Sequence, residues 1–134
     1  MKLTLTCLLS LSLVLAGCAA GGSARTSGAQ TPATPEQSAA LEQLRSTYSS
    51  GRYGDVIREV ARSDVLASAP RAVVVESMKL QAFSYCLTGH PSLCQDQFAR
   101  ILVLQPDFTL HGAEQGHPQW QRAFDQARAK TVPR

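Results

Sequence analysis

Residues 75–108 read VESMKLQAFSYCLTGHPSLCQDQFARILVLQPDF, and their spacing decides the fold. Before the turn, Val74, Met78, Ala82 and Tyr85 recur at helical spacing, so the reading places a helix over Ala72 to Leu87. The Val73-Val74-Val75 run has strand character, but it is too short and isolated to build a sheet. Gly89-His90-Pro91 is a turn, with Ser92 expected as the next N-cap. After it, Cys94, Phe98, Ile101 and Leu102 mark the inner face of a helix over Leu93 to Gln105, which Pro106 stops. Two helices joined by so short a turn must run antiparallel, as a hairpin.

The pattern extends in both directions. Thr34-Pro35-Glu36-Gln37 combines a capping Thr, an early Pro and a Gln three residues on. Leu41, Leu44 and Tyr48 then fall on one helical face, and Ser49-Ser50-Gly51 closes the helix. Tyr53, Val56, Ile57 and Val60 make a second helix, and Ser63 to Pro70 reads as a break. Beyond a polar loop reaching Gly116, Pro118 opens a last helix with Trp120, Phe124 and Ala127 on one face. The fold class is therefore all-α. Aromatic residues make up 6% of the chain, so the core is expected to be mainly Leu, Val, Ala and Ile. Trp120 and Phe124 are expected to bury against the second hairpin or, failing that, Trp120 to serve as a partner hot spot.

The N-terminus carries a different signal. Lys2, a leucine-rich run from Leu3 to Ala16 and the sequence Leu15-Ala16-Gly17-Cys18 resemble the signal and lipobox of bacterial lipoproteins. The run is short for a membrane span, which needs about 20 apolar residues. The resemblance implies that residues 1–17 are removed as a signal peptide and that Cys18 becomes the lipidated first residue. Its Ala19 neighbour then implies sorting to the outer membrane. Residues 18–35 would be that lipidated Cys and a low-complexity tether, with a typical end-to-end distance of about 20–25 Å. Residues 36–130 would form one small helical domain.

On that reading Cys7 leaves with the signal and Cys18 carries lipid. Cys86 and Cys94 remain, in an oxidising compartment where a disulfide is the expected state. Each lies about one turn from Gly89, so they face each other across the hairpin. Metal binding is the weaker alternative, because only His90 lies between them.

The hairpin also resembles a tetratricopeptide repeat, a unit of 34 residues. Ala82, Tyr85, Gly89, Cys94, Phe98 and Pro106 occupy that pattern's small, aromatic, turn and closing positions. Gln81 and Ile101 depart from it, standing where Leu and Ala are usual, and the turn lacks the usual Tyr. Gly51-Arg52-Tyr53 with Val56 and Val60 gives a weaker first copy, and about four extra residues separate the two copies. The resemblance implies two stacked hairpins closed by a C-terminal capping helix, with a concave groove lined by the first helix of each hairpin. Leu41, Arg45, Tyr48, Glu76, Lys79 and Phe83 map to that groove. Arg45 and Lys79 would clamp an acidic or C-terminal carboxylate and Phe83 would offer an apolar seat.

Pro106-Asp107-Phe108-Thr109-Leu110, Glu114 and Gly116-His117-Pro118-Gln119-Trp120 follow that hairpin. Together with the lipobox, tether and cysteine pair, they resemble the small tetratricopeptide lipoproteins associated with type VI secretion systems, the TssQ type. The resemblance implies a periplasmic accessory held at the outer membrane, with envelope or secretion-system proteins as partners. A different envelope adaptor, pilotin-like or an outer-membrane assembly accessory, is the alternative reading.

No motif points to catalysis. There is no GxSxG elbow, no phosphate-binding glycine loop and no HExxH spacing. His90, His111 and His117 fall at turns or loops; His111 and His117 with Glu114 are the only trio that a metal could draw together. A net charge of +3, dispersed along the chain, gives no nucleic-acid footprint. The reading is therefore of a binding protein, not an enzyme, with no cofactor, metal or small-molecule substrate.

Overall fold

The structure, a computed structural model, describes residues 31–131. The signal peptide, Cys18 and all but the last residues of the tether lie outside the described residues. The described residues form helices α1 (Pro35–Ser49), α2 (Tyr53–Arg62), α3 (Asp64–Ala67), α4 (Arg71–Leu87), α5 (Pro91–Leu104) and α6 (Pro118–Thr131). A 3-10 turn over Gly112–Glu114 interrupts the loop before α6, and no strand occurs among the described residues. The architecture is all-α, in a tetratricopeptide-like arrangement: α1–α2 and α4–α5 are the two hairpins and α6 closes the stack.

Local chemistry sets the helix ends. The Thr34 hydroxyl accepts the Gln37 N–H at 3.2 Å, and the Thr34 N–H donates to Gln37 Oε1 at 3.0 Å, a reciprocal capping box with Pro35 inside it. Gly51 and Gly89 turn the two hairpins with φ of 74° and 78°, a region in which a Cβ is strained. At the second turn the cap differs from expectation. Pro91 is helical already, so His90 and not Ser92 is the N-cap.

The expected break at Ser63 to Pro70 contains the short helix α3. The Ser63 hydroxyl accepts the Leu66 N–H at 3.2 Å, and Leu66 is almost fully buried. The extra residues between the two copies are thus taken up by an added turn that inserts one leucine into the core.

Helix α4 packs against all five other helices. Its stripe is accordingly wider than the one read from periodicity. Val73, Val75, Leu80, Ala82, Phe83 and Cys86 are buried, while Val74, Met78 and Tyr85 are only partly covered. Two apolar clusters result. The first gathers Leu41, Leu44, Val56, Leu66, Val73 and Leu80; the second is built on Phe83, Phe98, Phe108 and Phe124. The core is mainly Leu, Val, Ala and Ile, as expected, but its buried aromatics are confined to the second cluster. All four phenylalanines of the chain sit in the second cluster, Phe98 edge-on to Phe83 and Phe124 at centroid distances of 6.0 and 5.5 Å.

Gln81 is buried where the repeat pattern has Leu. Its Nε2 donates to the Ile57 carbonyl at 3.0 Å and its Oε1 accepts from Gln97 Nε2 at 2.7 Å. One amide thus ties α2, α4 and α5 together.

The Cys86 and Cys94 sulfurs lie at bonding distance, 2.13 Å, across the second hairpin. Closing a loop this short should stabilise the fold by about 2.5 kcal/mol through the unfolded chain. Replacing both cysteines by Ala should lower the unfolding free energy by about that amount in urea titration, with the helical circular dichroism retained.

Candidate functional site

Helices α1, α4 and α6 present the face that the repeat resemblance makes the groove. The structure populates it with charge first. Lys79 Nζ lies 3.0 Å from Glu76 Oε2 and 2.7 Å from Glu114 Oε1. Arg45 reaches Glu76 at 3.6 Å and Glu42 at the same distance. Glu76 is therefore shared between two cations, and Lys79 between two carboxylates. Glu114 comes from the 3-10 turn, whose geometry its other oxygen secures by accepting the His111 N–H at 3.3 Å. Burial by itself would lower the Lys79 pKa; hydrogen bonds and Coulombic attraction from Glu114 and Glu76 outweigh it and hold the ammonium above its ordinary value.

Beside this network runs an aromatic stack. Trp120 lies flat on Phe83 at 4.0 Å between centroids and takes the His117 ring on its other side at 3.7 Å. Tyr48 leans on Phe83 at 6.3 Å and on Tyr53 at 5.4 Å. The Lys79 ammonium lies 5.9 Å from the Phe83 ring centre. The Trp120 indole N–H is buried and makes no hydrogen bond. Tyr48 is half-buried, and burial, then the Tyr53 hydroxyl and Glu114, push its pKa up to about 12.

These positions correct the expected groove. Leu41 is 7% exposed and Phe83 2%, so both are core, and neither is a seat that a partner can reach. Arg45, Tyr48, Glu76 and Lys79 do come together, but Lys79 is spent on two glutamates of its own chain and cannot clamp a foreign carboxylate. The physical reason is the long loop after α5. It brings Glu114 and Trp120 onto α4, filling the far end of the groove from within. Arg45 alone keeps an open guanidinium, its side chain 48% exposed.

Sequence reasoning set Trp120 against the second hairpin, where it stacks on Phe83, but did not place Glu114 on this face. The heptad-like spacing of Trp120, Phe124 and Ala127 signals a buried side for α6, but nothing local says that a loop glutamate meets Lys79. The histidines settle into loops: Thr88 Oγ1 bonds the His90 ring at 3.1 Å, and Thr109 Oγ1 bonds the His111 ring at 3.0 Å. His117 stacks on Trp120, Glu114 is held by Lys79, and no cluster able to hold a metal occurs among the described residues. No described helix is long and apolar enough to cross a membrane.

No family model, no curated protein and no solved structure matches the chain. The tetratricopeptide likeness therefore rests on the hairpin geometry.

Two measurements follow. Trp120→Ala should cost about 3 kcal/mol in urea unfolding, since it uncovers Phe83 and removes two stacking contacts. The second is pH dependence. Lys79 and Tyr48 both hold their protons more tightly folded than unfolded, so their contribution is complete below pH 10 and is lost as pH rises toward 12. Stability should fall across that window, and Tyr48→Phe should make the fall shallower.

Proposed function

We propose that the chain is a lipid-anchored interaction protein of the bacterial envelope, an accessory to a type VI secretion apparatus. Cys18 is its membrane end, at the periplasmic leaflet of the outer membrane, and the helical domain is its working end in the periplasm. The observation that supports this best is the stack of two hairpins and a closing helix, an architecture whose exposed helix faces serve binding. The disulfide-distance cysteine pair suits an oxidising compartment. The reading assigns the chain no catalytic step, cofactor, small-molecule substrate or nucleic acid. It takes the partner to be another envelope protein, met at the open end of the α1–α4 face around Arg45 and Tyr48. Lys79 and Phe83 support that face from below.

The test has two parts. Cys18→Ser should move the protein from the membrane to the soluble fraction and abolish lipid labelling; an unchanged membrane fraction refutes the anchor. Wild-type protein should retain type VI membrane-complex or sheath subunits from detergent-solubilised envelopes, and Arg45→Ala should weaken that retention several-fold at unchanged stability. Equal retention by both removes the α1–α4 face from the interaction, and retention of no secretion subunit by wild type removes the secretion assignment.

A further inference from the structure

A second concavity lies on another side of the domain, between α2 and α3 on one wall and α4 and α5 on the other. Its volume is about 400 Å³, at the small end of the range that holds a ligand. Helix α3 contributes Leu66 and Ala67 to its wall. Val60, Val74 and Met78 add further apolar wall.

Two polar side chains of α5, Gln97 and Arg100, stand in this cleft, opposite Ser77, Gln81 and Tyr85 of α4. Gln97 is 6% exposed and gives its N–H to Gln81, while its Oε1 accepts no hydrogen bond among the described residues. Arg100 follows at i+3, on the same face of α5, so the two side chains are neighbours. Arg100 is exposed and forms no ion pair among the described residues. The cleft thus offers a partly apolar hollow, a solvent-facing amide acceptor that no described residue engages, and an unpaired guanidinium on the same helix face.

We propose that this cleft receives the free C-terminal residue of a partner polypeptide with an aliphatic side chain. Its carboxylate pairs with Arg100, its backbone N–H donates to Gln97 Oε1, and its side chain fills the hollow among Val60, Val74 and Met78. A fatty acid would satisfy the hollow and the guanidinium but has no N–H for Gln97, which is why a peptide end is the better fit. The proposal rests on the interaction reading above but not on the α1–α4 face. It also moves the carboxylate reader from Lys79, which is engaged by Glu76 and Glu114, to an arginine that has no ion pair among the described residues.

The test uses the mature protein in phospholipid nanodiscs and a fluorescein-labelled peptide ending in Gly-Ser-Gly-Leu, as the free acid and as the C-terminal amide. Anisotropy should show saturable binding of the acid, about tenfold tighter than the amide. Arg100→Gln should abolish that difference, and Ala67→Trp, a surface change at the mouth, should block the acid without lowering stability. Equal affinity for acid and amide, an unchanged ratio in Arg100→Gln, or no saturable binding up to about 1 mM overturns the proposal. Saturable binding of laurate with none of either peptide also overturns it, since the cleft would then be an acyl-chain site. If envelope partners are retained while the peptides fail, this cleft is wrong and the interaction reading stands; if the peptides bind while secretion subunits are absent, the reverse holds.

Discussion

Helix α4 has to be covered on nearly every side, and that requirement organises the molecule. Nine of its residues are buried, among them Ser77, Gln81 and Ser84. Two hairpins cannot do this alone, because the second leaves α5 and the end of α4 open to water. The closing helix does it: Phe124 and Ala127 cover α5, and Trp120 covers Phe83 on α4. Stacked helical repeats gain their stability from such neighbour interfaces, and fewer than three units are marginal. The phenylalanine cluster, the disulfide-distance cysteines and the Gln81 amide all sit where the second hairpin would otherwise depend on its own small interface.

The same coverage determines the electrostatics. Drawing the loop after α5 over α4 puts Lys79 at 15% side-chain exposure. An ammonium so placed loses much of its hydration and must be compensated by nearby carboxylates. Glu76 and Glu114 supply that compensation, and the Glu114 turn is fixed in consequence. Ser77 and Ser84 meet the related problem for hydroxyls by donating to the Val74 and Leu80 carbonyls of their own helix at 2.8 and 2.7 Å.

Much of this was legible in the residues. The capping box at Thr34, the turn glycines, the helix pairs and the Cys86–Cys94 proximity all follow from signals within a few residues of one another. What escaped was non-local. Helix α3 is four residues long, too short for periodicity, and its reason for existing is the space that Leu66 fills. The buried sides of α4 are set by five partners, and no single stripe records five directions. The groove residues were assigned by a repeat pattern that has no long loop after its second helix. Leu41 and Phe83 therefore proved to be core, and Lys79 proved to be engaged. Low aromatic content did not reveal that the aromatics would concentrate in one half.

Departures from the repeat pattern then carry the most information about what this chain does differently. Gln81 in place of Leu puts an amide into the junction of the two hairpins, and an amide there requires partners. Ile57 and Gln97 provide them, and Gln97 becomes a buried side chain with an acceptor to spare. The inserted α3 adds Leu66 and Ala67 to the wall of the same junction. A Leu at position 81 with a direct α2–α4 connection would have sealed it with apolar contacts at lower desolvation cost. Two independent departures therefore converge on one cleft and leave it open and polar at its floor. The face that the pattern marks as a groove is meanwhile filled by the chain's own Glu114 and Trp120. Stability alone accounts for the second arrangement, since it covers α4. It accounts less well for the amide at position 81, which occupies a buried place that Leu would fill with apolar contacts, and that asymmetry favours the cleft over the far end of the groove as a place for recognition.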